Sequence, residues 1–157
     1  MDDVARSSGV TRLIVYRIFE SKYELYTAVL DDVVDDLKGH FDPMPDGDPV
    51  AALLVGVGRR HPDGFRLLWR HAAHEPEFAD LATAFRDITY EYAEGLIAEY
   101  VSDALMRQWV AQSLVSYLYE GICLWIDGAM AQPDERIAAA LAAGARAMVT
   151  AWTTTPQ

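Results

Sequence analysis

The chain has 157 residues, 52% of them apolar, and a formal net charge of −11. That length suits one domain or a small head on a larger body, and the apolar share excludes disorder. A lone cysteine, Cys123, excludes an internal disulfide and fits a reducing, cytoplasmic setting, and neither the acidic start MDDVARSSG nor the apolar stretch 109–131, which carries Gln112, Glu120 and Asp127, reads as a signal peptide or a membrane span.

A charge of −11 taken alone argues against nucleic acid, because phosphates attract lysine and arginine. The distribution qualifies this. Residues 1–30 balance Arg6, Arg12, Arg17 and Lys22 against Asp2, Asp3, Glu20 and Glu24. The acidic surplus therefore lies wholly in residues 31–157. A neutral head on an acidic body is compatible with a head that touches DNA.

In chain order almost every element reads as helix. Residues 2–8 form a short helix stopped by Gly9, and a second runs from about Thr11 to Phe19. Ser21-Lys22-Tyr23-Glu24 is a capping box. It opens a longer helix to about Leu37, with Leu25, Val29 and Val33 on one side and Asp31, Asp35 and Asp36 facing water. FDPMPDGDP, 41–49, is a breaker-rich loop, and Asp48 caps a helix over 49–60. Pro62 starts another, ending near His74. After Pro76 comes a long helix whose core stripe is Phe78, Leu81, Phe85, Ile88, Tyr92 and Leu96. Asp103 caps the next, to about Ala129, and Pro133 opens the last, over 134–152.

The helix at 103–129 is apolar over more than one stripe. Val110, Leu114, Tyr117, Gly121, Leu124 and Gly128 form one, flanked by Ala111, Val115, Leu118, Ile122, Trp125 and Ala129. The last helix adds Ile137, Leu141, Gly144 and Met148 beside Ala138, Ala142 and Ala145. Small residues let backbones approach closely, so these two helices suggest a four-helix bundle across a two-fold dimer. The interface expected from this is Leu114, Tyr117, Gly121, Leu124, Gly128, Leu141, Ala145 and Met148. The plainer alternative is one central helix in a monomeric bundle.

The front of the chain carries Val4-Ala5-Arg6, Gly9-Val10, Tyr16-Arg17, Phe19, Ser21-Lys22 and Leu25. In residue type and spacing this segment, Asp2 to Leu30, resembles the helix-turn-helix head of the tetracycline-repressor (TetR) family of bacterial transcription regulators. Gly9 supplies the conformational freedom that the turn between two crossing helices needs. Thr11 caps the second helix and offers its hydroxyl to a phosphate. That helix would enter the major groove with Arg12, Tyr16 and Arg17 projecting. The resemblance implies phosphate contacts from Tyr16 and Lys22, with Thr11 a further candidate. Leu13 and Ile14 depart from the hydroxyl or small residues that relatives often carry there, and Ile18 from histidine. Leu13 and Ile14 either touch thymine methyls or pack within the head, which leaves Arg12 for polar base readout.

The family also places a helix ahead of the position of Asp2. Residues 1–157 begin where that helix should have ended, so Val4, Val10, Val15 and Phe19 would lack a cover. The expectation is weak or absent operator binding by this form, with a double-stranded DNA operator as partner where the head is completed upstream. The expected organisation is all-α: a head and linking helix over 1–40, and a ligand-binding and dimerisation bundle over 41–157.

In such regulators the body holds a small molecule. Met106, Trp109, Ser113, Ser116, Glu120, Cys123 and Asp127 form a third stripe on the 103–129 helix, mixing aromatic, sulfur and polar groups as a pocket wall does. A solvated face is the alternative. Phe65, Trp69 and Tyr90 are further pocket candidates, although residues of this kind are more often plain core. Glu120 needs a partner amid apolar neighbours, either an arginine such as Arg70 or Arg107 or a cationic ligand. His71 and His74, three residues apart on a helix, can begin a metal site, but a third ligand is not apparent. No nucleophile–base arrangement or glycine-rich phosphate loop appears, so neither an enzyme nor a cofactor is expected. The reading is a homodimeric, ligand-responsive repressor with a partly apolar effector and no membrane association. Its alternative is a dimeric ligand-binding or scaffold protein whose head no longer binds DNA.

Overall fold

The computed structural model describes residues 21–41 and 49–154 and is all-helical over them. The candidate DNA contacts Thr11, Arg12, Leu13, Ile14, Tyr16 and Arg17, the two short helices before Ser21, and the Asp48 cap lie outside the described residues. Lys22 is the first residue of α1, Lys22–Phe41. Ser21 Oγ accepts from the Glu24 N–H at 3.1 Å, one half of the expected capping box.

On α1 the buried side chains are Leu25, Leu30, Val33, Val34 and Leu37. Leu30, Val33, Val34 and Leu37 belong to the main core, so α1 is packed into it. Asp36, expected in water, is half-buried. It accepts from Arg60 Nε at 2.9 Å and lies 3.1 Å from His61 Nε2, while His61 Nδ1 faces Asp32 at 3.1 Å. One imidazole thus sits between two carboxylates a turn apart on α1.

Helix α2, Pro49–Arg60, buries Ala51, Leu54, Val55 and Val57. Pro62 opens α3, Pro62–Arg66, as its missing N–H permits. The chain then departs from the single helix expected to His74. Leu67–His71 is a π turn and Ala72–His74 a 3₁₀ turn. The i, i+3 argument for His71 and His74 assumed an α-helix and does not apply there. Among the described residues no group of three or more His, Cys, Asp or Glu side chains is placed to hold a metal ion.

Helix α4 spans Ala79–Ile97, with Phe78 at its N-cap. Its expected stripe is correct at Phe78 and fails towards the C-terminus. Ile88 is 61% exposed and Leu96 41%, while Phe78, Ala82 and Ile97 are buried. In the second half of α4, Tyr90 and Ala93 still pack on the main core, Tyr92, Leu96 and Ile97 border a cavity, and Ile88 faces out.

Asp103 caps α5, Ala104–Asp127, accepting from the Met106 N–H at 2.8 Å. The helix ends at Gly128, followed by Ala129 and Met130 with φ of 55° and 52°. Helix α6 covers Asp134–Thr154. Arg59 at the end of α2 pairs with Asp134 and lies over the Trp125 ring, 4.7 Å from its centroid, so the starts and ends of three helices are tied together. Helix α4 lies along α5, and α6 packs across both α2 and α5.

The small residues of the proposed dimer seam work inside the chain. A Cβ on Gly121 would come within 2.7 Å of Leu141 Cδ2, and the Tyr117 side chain lies over Gly144. Leu141 is buried. These residues set the close approach of α5 to α6.

Candidate ligand-binding site

Where α2, α4, α5 and α6 diverge they leave a cavity of about 530 Å3. Helix α2 contributes Val50, Ala51 and Leu54, and α5 contributes Leu114, Val115, Leu118 and Tyr119. From α4 come Thr89, Tyr92, Ala93, Leu96 and Ile97, with Tyr100 just beyond its end. Helix α6 supplies Ala142, Ala145, Arg146, Val149, Thr150 and Thr153. A volume of this size and a largely apolar wall suit a drug-sized molecule, for which proteins use roughly 300–1,000 Å3.

Tyr119 links the cavity to the core. Its ring stacks on Trp69 at 4.8 Å and on Phe65 at 5.2 Å, and meets Phe85 edge-on at 5.8 Å. Arg86 donates to the Trp69 carbonyl at 2.8 Å and lies 5.0 Å over the same indole. The Tyr119 hydroxyl is buried near the Thr89 side chain, with no hydrogen bond of normal geometry among the described residues. Burial holds it protonated far above the usual tyrosine range.

The residues expected to form the pocket lie elsewhere. None of Phe65, Trp69, Tyr90, Trp109, Ser113, Ser116, Glu120 and Cys123 lines the cavity. Phe65 and Trp69 are core beneath Tyr119, and Tyr90 is half-buried against that core. Cys123 is fully buried, and burial pushes its thiol up to about 11, which keeps it protonated and unreactive at neutral pH. Ser113 Oγ donates to the Trp109 carbonyl at 2.8 Å, and Ser116 is exposed. Glu120 has its partner in Arg70, which donates from Nε at 3.1 Å and from Nη2 at 2.5 Å. Arg70 also reaches Asp127 at 2.6 Å, and Arg66 joins Asp127 to Asp63 at 2.9 and 2.5 Å. This network lies on the outer side of α5 and brings the π turn and α5 together.

Two residues expected at a dimer seam, Leu114 and Ala145, line the cavity, and Met148 packs against the small buried cluster beside it. Leu124 and Gly128 are exposed. Sequence reasoning missed Thr89, Tyr100, Arg146, Thr150 and Thr153. The available signal was on α6, where 146, 150 and 153 share a face that interrupts an alanine-rich helix.

No family model matches the chain, and no curated protein is detectably similar to it. Among the described residues no helix is long and apolar enough to cross a membrane.

Proposed function

We propose that the protein is a cytoplasmic, homodimeric transcription regulator of the TetR type, most simply a repressor, whose body binds a small effector in the cavity between α4, α5 and α6. The observation that carries the reading is the cavity itself. It is walled by α2, α4, α5 and α6, and α1, the helix that would link head to body, is held to the rest of the fold near both ends. Towards one end His61 and Arg60 grip Asp32 and Asp36. At the other, Tyr23 and Tyr26 stack on Phe78.

The coupling follows from α4. Its C-terminal half lines the cavity, and its N-cap, Phe78, holds the first turns of α1 next to the head. A ligand that displaces α4 shifts α1, and with it the spacing of two heads in a dimer. Half-sites read by such heads lie roughly 34 Å apart, so small displacements matter. The linkage typical of such devices is about 1–3 kcal/mol.

The dimer face moves relative to the sequence expectation. The outer side of α5 and α6 presents Leu105, Met106, Trp109, Leu124 and Trp152, with Leu105 79% exposed. The rings of Trp109 and Trp152 meet edge-on at 3.9 Å. Leu105, Met106, Trp109 and Trp152, grouped at one end of this face, favour a protein partner, and a second copy satisfies the two-fold arrangement the heads require.

Anisotropy titration of the full chain against labelled DNA from directly upstream of its own gene tests the reading. Weak, salt-sensitive binding of two chains per site, lost on a scrambled sequence, is expected of residues 1–157. Equal affinity for scrambled DNA would overturn it.

A further inference from the structure

The cavity is not evenly apolar. Its inner wall uses side chains that the fold buries: Leu54, Ile97, Leu114 and Val115. Thr89, Tyr92 and Tyr119 bring hydroxyls to the wall, and the exposed polar residues Tyr100, Arg146, Thr150 and Thr153 stand at the mouth. Thr150 Oγ1 donates to the Arg146 carbonyl at 2.9 Å, and Thr153 Oγ1 to the Thr150 carbonyl at 3.1 Å. The sign of charge at this mouth is the informative feature. Arg146 is the charged lining residue, and no Asp or Glu lines the cavity among the described residues. In a chain of net charge −11 the acidic surplus stops short of this wall. Glu120, which a cationic ligand could have used, lies on the outer side of α5 in the grip of Arg70.

Resting on the reading of this cavity as a ligand site, we propose that its ligand is an amphiphilic acid, with an apolar body against the inner wall and a single carboxylate head at the mouth beside Arg146. A guanidinium carries five N–H donors, so Arg146 takes a carboxylate without surrendering the contacts it makes within the chain. An ammonium head would meet a like charge there and no Asp or Glu among the described lining residues. The ring faces of Tyr92 and Tyr100 are the feature that would favour a cation. The ammonium arm of the test is therefore the discriminating one.

Calorimetric titration of the full chain with decanoate, decanol and decyltrimethylammonium, each below its micellar concentration, tests the proposal. Decanoate binds about tenfold more tightly than decanol, the increment of one charge-assisted contact, and the ammonium binds most weakly. Arg146→Gln brings decanoate to within about threefold of decanol, while Arg146→Lys keeps most of the preference. Arg146 is exposed, so both variants should fold, which a thermal melt verifies. Equal or tighter binding of the alcohol or the ammonium, or no binding of decanoate at millimolar concentration, overturns the acid class. Ala142→Trp, which fills the cavity, separates the two levels. If it leaves binding of all three unchanged, the cavity is not the site and the underlying reading fails with it.

Discussion

The ring of Phe78 stacks on that of Tyr23 with centroids 5.2 Å apart and planes 12° from parallel. The same ring meets Tyr26 at 5.4 Å. The N-cap of α4 is thereby fixed to the first turns of α1, while the far end of α4 borders the cavity. Phe78→Leu keeps the core filled but removes both stacks. It should cost about 1–1.5 kcal/mol in urea unfolding. Ligand affinity by calorimetry should change less than about twofold, since Phe78 does not touch the cavity. The dependence of DNA affinity on ligand should weaken.

The end of α5 stores backbone strain. Ala129 and Met130 both adopt the left-handed region, at 55° and 52°, where a Cβ crowds the following carbonyl. Ala129→Gly relieves that at the expense of a more flexible unfolded chain. A net gain of about 0.5–1 kcal/mol is expected by chemical denaturation.

Two glycines should respond in opposite directions. A Cβ at Gly64 would lie 2.5 Å from Val33 Cγ2 and 3.2 Å from Val29 Cγ1, whereas one at Gly39 meets nothing within 4 Å. Gly64→Ala therefore forces α3 away from α1 and should cost about 1–3 kcal/mol. Gly39→Ala, on α1, should stabilise by about 0.5–1 kcal/mol through helix propensity. Urea midpoints of the two variants check both signs.

Acid should loosen the outer network. Arg70 and then Arg66 hold the Asp127 carboxyl below the usual carboxylate range, and Arg59 does the same for Asp134. A carboxyl whose folded pKa is depressed lends stability above its unfolded pKa of about 4 and loses it as pH falls through the folded value. These pairs leave Tm flat between pH 5 and 7 and lower it below about pH 4. Asp127→Asn should flatten that acid limb. An unchanged limb would mean that the pair is silent in solution.

Helix ends were legible from the sequence wherever a local chemical device marks them. Ser21, Pro62, Asp103 and Pro133 each act within one turn of their own position, so no tertiary information is needed. The break after Arg66 carries no such mark. LLWRHAAH is good helix sequence, and the π turn is imposed by a tertiary arrangement that seats Trp69 under Tyr119 while Arg70 meets Glu120. The candidate site was harder to read for a related reason. Helix α5 is apolar almost all round, so periodicity locates its stripes without saying what each one faces. Leu114, Tyr117 and Gly121 meet α6 or the cavity while Leu124 and Gly128 of the same stripe are exposed, and Met106, Trp109 and Ser116 face outward while Cys123 of that stripe is buried. For Glu120 the sequence narrowed the partner to Arg70, Arg107 or a cationic ligand, and the fold selects Arg70.

The most direct measurement is linkage between the two ends of the molecule. Affinity for the upstream DNA is measured with and without decanoate at a concentration that calorimetry shows to be saturating, in the wild type and in Ala142→Trp. The account predicts a change of about five- to a hundredfold in the wild type and none in the variant. Unaltered DNA affinity in a wild-type protein shown to be saturated, or the same change in Ala142→Trp, would contradict it.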